Sequence, residues 1–195
     1  RDLEPGSRNS RQLRGAGERA LLQQAYNFQE AHNDNLYGPA FGDANWLMFD
    51  YNRGYAPDIE SSGIMDIFRL PKFSYWFYRS QADNGPVCFI AGYNSEESGK
   101  TVRVFSNADS VSLYRNEILV AQQAPDRNAI SSNLVHPPFT FTLRDYEPGT
   151  LKAIGIKKGA EYATSSVTTP GEPAAIRLVA DFSNKPLKAD GSDAI

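Results

Sequence analysis

From Pro86 onward the chain breaks into short β-prone segments divided by turn residues, and no other feature constrains its fold as tightly. The segments are residues 87–91, 101–105, 111–114, 118–120, 139–143, 150–155 and 175–180. Val102 and Val104, then Phe141 and Leu143, alternate with polar residues, which puts one face of each strand in a core. Asn107-Ala108-Asp109, Arg115-Asn116-Glu117 and Glu147-Pro148-Gly149 supply turns between them. Seven short strands in roughly 95 residues form the pattern of an immunoglobulin-like antiparallel sandwich, predicted for residues 84–182.

The first 83 residues have a different pattern. Leu21, Ala25, Phe28 and His32 recur at helical spacing and predict a helix over residues 17–33, ended by Asn33-Asp34-Asn35 and Gly38-Pro39. The apolar run Ala44-Asn45-Trp46-Leu47-Met48-Phe49 is bounded by turn residues and reads as a strand buried on both faces, the parallel-sheet kind. A second helix is expected over residues 71–78, with Pro71 in its first turn and Trp76 on its packing face. Helix, buried strand, loop and helix make an α/β alternation, too short to be a whole α/β domain. Such a piece exposes edges and apolar surface, so residues 1–83 should be ordered only by packing on the sandwich or on further protein. Residues 183–195, polar with Pro186 and Gly191, read as a linker or the start of a further domain. Both ends read as cuts in a longer chain.

Composition removes several classes of function. Net charge is −3 and the sequence pI about 5.4, with Lys and Arg scattered among acids, so no basic field exists for nucleic acid or an anionic membrane. No stretch approaches the ~20 apolar residues of a membrane span, and Arg1-Asp2-Leu3-Glu4-Pro5-Gly6 lacks a signal-peptide core. The one cysteine, Cys88, sits between Val87 and Phe89 and reads as a small buried residue. Two distant histidines, His32 and His136, do not build a metal site or a catalytic triad, and no cofactor is expected. Gly15-Ala16-Gly17 precedes a helix but follows no strand, so it is not a phosphate loop.

The run through Trp46 carries the strongest hint of chemistry. If it is a barrel strand, its C-terminal end lies on the face where barrel enzymes place their sites, which brings Trp46, Asp50 and Asn52 to a pocket. Tryptophan offers a flat apolar surface to a sugar ring, and Asp and Asn can take its hydroxyls. Composition alone favours the plainer reading, a core tryptophan and a turn-forming aspartate. Glycoside hydrolysis needs two facing carboxyl groups. Asp43, Asp50, Asp58, Glu60 and Asp66 are available, and no pair stands out. In the sandwich, Tyr93, Tyr114 and Phe139 are candidates for a carbohydrate-binding surface, or for core.

Several phrases, in order, resemble glycoside hydrolase family two, its bacterial β-galactosidases especially. Trp46-Leu47-Met48-Phe49-Asp50-Tyr51-Asn52, Gly63-Ile64-Met65-Asp66 and Arg69-Leu70-Pro71-Lys72 are similar to the close of that family's (β/α)8 TIM barrel. Residues 104–116, His136-Pro137-Pro138-Phe139 and Pro148-Gly149-Thr150-Leu151-Lys152-Ala153 resemble the immunoglobulin-like domain behind the barrel, and Ala189-Asp190-Gly191-Ser192-Asp193 the opening of the next domain. The resemblance implies a retaining exo-β-glycosidase whose glutamate nucleophile and glutamate acid/base lie on earlier strands, so this segment holds no catalytic residue. It carries over Trp46 as a sugar platform, with Asp50 and Asn52 beside it. The loop after Asn52 lacks the Asn-x-Lys phrase of family β-glucuronidases, which points to terminal β-galactosides. The implied partners are a β-galactoside, through the parent enzyme, and the rest of the barrel. The rival reading is a non-catalytic carbohydrate-binding or structural sandwich module.

Overall fold

Strict alternation in the middle of the chain decides the architecture of the computed structural model, which describes residues 12–179. A 3-10 turn at Arg14–Ala16 leads into α1 (Glu18–Tyr37), then two short paired strands, β1 (Tyr51–Asn52) and β2 (Ile59–Glu60), and α2 (Phe73–Ser80). The β region follows as β3 (Cys88–Ile90), β4 (Thr101–Ser106), β5 (Ser110–Arg115), β6 (Ile118–Gln123), β7 (Phe139–Thr142), β8 (Thr150–Lys157) and β9 (Ala160–Thr168). β3, β4 and β7 form one antiparallel sheet, and β6, β5, β8 and β9 another, in those orders. Val102, Val104, Val111, Leu113, Phe139 and Phe141 point into the space between the sheets and are buried there. The structure is therefore mostly β, two packed antiparallel sheets with few helices.

The opposite face of the three-stranded sheet is also covered. Successive residues of a strand point to opposite faces, so Phe89 and Phe105 face away from Ile90 and Val104. Against them lie the two helices. Phe77 meets Phe105 edge-on at 5.8 Å, and Trp76 stacks on Phe89 at 4.8 Å. Leu21, Ala25, Phe73, Phe77, Ala91, Phe105 and Leu134 make this second core, which joins the first helical region to the sandwich.

Polar side chains of α1 complete the joint. Gln29 donates to Ile130 O (3.0 Å) and Ser131 Oγ (2.8 Å), and Asn33 donates to Ala129 O (3.0 Å). The Asn133 amide group returns the contact, its backbone N–H donating to Asn33 Oδ1 at 2.9 Å. With its side chain engaged by a distant loop, Asn33 does not compete for its own backbone. The helix accordingly runs on to Tyr37 and does not end at 33.

Three further expectations need correction. The run 44–49 is not a strand buried on both faces: Trp46 is 69% and Met48 56% exposed, and its one ladder contact is the parallel bridge of Phe49 with Met65. An apolar run becomes a buried strand only when neighbours cover both its faces, and no described residues do so. Pro71 lies before α2 and not in its first turn. Pro71 is bridged to Met65 and Lys72 N–H donates to Ile64 O (2.9 Å), which holds both residues extended. Residues 171–179 form no regular element, with Ile176 and Leu178 almost fully exposed, whereas β9 was missed. β9 is a polar edge strand, so it carries little apolar signal. Its trace in the sequence is Lys158-Gly159, both at positive φ as a two-residue hairpin turn requires. The segment 183–195 lies outside the described residues.

Two measurements check this packing. Phe77→Ala should lower unfolding stability by about 3–5 kcal/mol in urea titrations, the range for a fully buried aromatic. Burial pushes the Cys88 thiol up to about 12, so at about pH 8 it should resist a thiol reagent in the folded chain and react at once in urea.

Candidate functional site

The residues after α1 make an open concavity of ≈ 600 Å³, lined by Trp46, Leu47, Met48, Phe49, Asp50, Tyr51, Asn52, Ile67 and Arg69. Two stretches build it. Leu47, Met48 and Asp50 exchange backbone hydrogen bonds with Ile64 and Met65, at 3.1, 2.9 and 3.0 Å, so the segment through Trp46 lies alongside the segment after Gly63. The Trp46 ring is exposed and meets Tyr51 edge-on at 6.3 Å. Across the floor, the Arg69 guanidinium lies 4.1 Å from the centroid of Phe49. Asn52 is at the rim, where its Oδ1 accepts from Gly54 N–H (3.1 Å). The structure thus brings Trp46, Asp50 and Asn52 to one concavity.

Beneath that surface is a buried ion pair. The side chains of Asp50 and Lys72 are both fully buried, and Nζ stands 2.8 Å from each carboxylate oxygen. Its alignment makes a hydrogen bond to Oδ1 only, leaving Oδ2 with the charge contact and no hydrogen bond. Lys72 also donates to Ser61 O (2.8 Å), and Gly63 N–H donates to Asp50 Oδ1 (2.9 Å). Gln24 closes the ring, donating to Gly63 O (3.0 Å) and accepting from Ser74 Oγ (2.8 Å). Burial pushes the Asp50 carboxyl up and the Lys72 ammonium down, each opposed by the partner's charge. Gly63 has no room for a side chain: a Cβ there would lie 2.5 Å from Asp50 N and 2.6 Å from Met65 O.

The other carboxylates are also held. Arg14 donates to Asp66 Oδ2 (2.6 Å), while the N–H groups of Phe68 and Leu70 donate to Oδ1 (2.9 Å each). Arg53 binds Glu60 and, at 3.5 Å, Asp58, and Ser62 donates to Glu60 through N–H and hydroxyl. Burial pushes Asp66 and Glu60 up, but their hydrogen bonds outweigh it and hold both below their ordinary values. Asp43 faces His32 Nδ1 at 2.8 Å. All five candidate carboxylates are thus locally paired. The sandwich aromatics do not share a surface: Phe139 is in the core, Tyr93 packs on Phe73, and Tyr114 is in the other sheet.

Gly63, Lys72, Gln24 and Arg69 are site residues that reading the sequence missed. Lys72 stands before the aromatic string Phe73-Ser74-Tyr75-Trp76-Phe77-Tyr78, and a lysine in such company is the one local sign of a buried cation.

Comparison with known proteins gives a consistent set. Residues 98–163 match the family described as a domain of unknown function (DUF4982). A β-galactosidase of Thermoanaerobacter pseudethanolicus is 38% identical over 172 residues, 78% of this chain and 23% of that protein. A β-glucuronidase of Formosa agariphila is 34% identical over 157 residues, 78% of this chain and 15% of that protein. Among solved structures, a β-glucuronidase from glycoside hydrolase family 2 has a TM-score of 0.61 at 30% identity, over 81% of this chain and 16% of that one. A β-glycosidase of Bacteroides vulgatus shares the fold, with a TM-score of 0.65 at 22% identity, over 77% of this chain and 19% of that one. The chain spans under a quarter of the length of these curated relatives.

Lys72→Met leaves a buried, uncompensated carboxylate and should cost about 3–5 kcal/mol in urea unfolding. Acid should also destabilise the fold. Asp66 and Glu60 titrate below their ordinary 3.8 and 4.5, so the unfolded chain takes up protons first. Their contribution is complete above those values and fades as pH falls through the folded ones. Asp66→Asn should lower neutral-pH stability and flatten that acid limb, as read by thermal unfolding across pH.

Proposed function

This chain belongs to glycoside hydrolase family 2, and from that premise we propose that it is a segment of a retaining exo-β-glycosidase acting on terminal β-galactosides. On this reading residues 1–83 belong to the close of its catalytic barrel, and the sandwich of β3 to β9 is the immunoglobulin-like domain behind it. The observation that carries the reading is the exposed Trp46 ring in an open concavity, an apolar plane for the C–H face of a sugar. Asp50 and Asn52 flank it. The nucleophile and the acid/base are glutamates on earlier barrel strands, outside this segment. That agrees with the locally paired state of all five carboxylates here, since acid/base work needs groups free to exchange a proton. Phe41, Met48, Tyr55, Phe68 and Leu70 are exposed on the same region, an apolar area suited to burial against the remaining barrel staves.

A neutral sugar is favoured because the loop after Asn52 lacks an Asn-x-Lys phrase and its own cation, Arg53, is committed to Glu60 and Asp58. One observation favours a second reading, a β-glucuronide. The Arg69 guanidinium lines the concavity and has no carboxylate partner among the described residues, so a sugar carboxylate could pair with it.

Aryl glycosides decide between them. The full-length parent should turn over an aryl β-galactoside, and this chain alone should not, since loss of carboxylate partners costs roughly four or more orders of magnitude. Turnover by the isolated chain would sink the assignment. Preference of the parent for the aryl β-glucuronide, lost in Arg69→Ala, would establish the second reading. Trp46→Ala in the parent should reduce kcat/KM about ten-fold or more, equivalent to ~1.4 kcal/mol. Sugar binding that survives deletion of residues 1–83 would instead identify a binding module.

A further inference from the structure

We infer that the Asp50–Lys72 pair, seated on Gly63, is a positioning device that sets the Trp46 ring, so that Asp50 acts on a sugar through Trp46 and not by touching it. The inference rests on the reading of Trp46 as the sugar platform.

Asp50 lines the concavity, yet its carboxylate is turned away from it. Its side chain is fully buried, Oδ1 already takes two donors, and Oδ2 lies against the Lys72 ammonium. No lone pair is left facing a hydroxyl in the pocket. What Asp50 does reach is the backbone that holds Trp46. Gly63 N–H points at Asp50 Oδ1, and the two residues after Gly63 pair with Leu47, Met48 and Asp50. The chain after Trp46, from the Leu47 carbonyl onward, is therefore fixed against residues 64–65, and those are fixed through Gly63 to Asp50 and to Gln24 of α1. Lys72 ties the assembly to the start of α2 and, through Ser61 O, to the end of the loop that begins after Asn52.

The choice of a charge pair fits this role. Two apolar side chains of equal volume would join the same elements with less desolvation. They could not aim at one N–H and one carbonyl. The pair supplies direction, and the close approach at Gly63, where a Cβ would meet Asp50 N at 2.5 Å and Asp50 Oδ1 at 2.6 Å, leaves no room for a side chain between the two segments.

The chain contains two tryptophans, so in a Trp76→Phe background Trp46 reports alone. Time-resolved anisotropy of the ligand-free chain should show faster, wider motion of Trp46 in Asp50→Asn, in Lys72→Met and in the apolar double variant Asp50→Leu/Lys72→Met. The double variant removes the buried charges together and keeps the packing, so it answers even where a single change unfolds the chain. In the full-length parent, both single variants should lose comparable kcat/KM on the aryl glycoside that the parent prefers, roughly ten-fold or more. The double should lose no more than either, as for residues acting as one unit. The inference is overturned if Trp46 keeps its anisotropy in the folded double variant, or if Asp50→Asn loses far more activity than Lys72→Met. If anisotropy falls in all three variants while the parent's kinetics do not change, the positioning role holds and the platform reading of Trp46 is the part that fails.

Discussion

Everything in this chain depends on β4 being buried on both faces. Its inward residues, Val102 and Val104, close the space between the two sheets, and its outward residue, Phe105, receives Phe77 of α2. One strand thereby belongs to two cores. Without the outer one, α1 and α2 would lose the surface against which their apolar residues are buried, and in proteins most helical stability comes from such packing. The sandwich is thus the foundation on which the helical region is ordered. Gln29 and Asn33 extend the joint with hydrogen bonds to the 129–133 loop, replacing water at a boundary too polar to be closed by apolar packing alone.

This foundation also explains which parts of the fold were legible in the sequence. The segments at 101–105, 111–114 and 139–143 alternate because one face of each strand is core, and the alternation is visible in a one-dimensional string. β9 pairs only with β8 and faces solvent along much of its length, so its burial leaves almost no apolar trace. The run 44–49 failed in the opposite sense. Its residues are apolar, but apolar residues report what a segment can bury, not what is present to bury it. Residues 175–180 failed for the same reason, Ile176 and Leu178 being exposed for want of a covering surface among the described residues.

The site divides along a similar line. Trp46 is singled out by residue type, because few side chains offer a flat apolar plane, and the structure places its exposed ring at the concavity. Asp50 was found by position after a strand-like run, but its role is decided by Lys72, 22 residues later, and by Gly63, 13 residues later. Those partnerships are tertiary: the aromatic string after Lys72 hints at a buried cation, but nothing in the string names Asp50 as its partner. The same holds for Asp66 with Arg14 and Glu60 with Arg53. Each acid found its cation in the fold, and reading charges as a list could only leave them as loop residues.

Local neutralisation has a consequence for how this region works. Burial alone raises a carboxylate; Asp66 and Glu60, matched by guanidinium groups, stay below their ordinary values, while the more deeply buried Asp50 is raised in spite of the Lys72 ammonium. The concavity beside Trp46 is lined mainly by apolar side chains above and braced by paired charges below. It is built to hold a shape. A surface of that kind contributes to catalysis by orienting a bound ring, which can account for a large part of a rate enhancement only when reactive groups stand close by. Exposed apolar residues around the concavity and a rigid polar brace beneath it therefore point the same way: on the function proposed above, this segment prepares the geometry and the proton-transfer groups stand outside it.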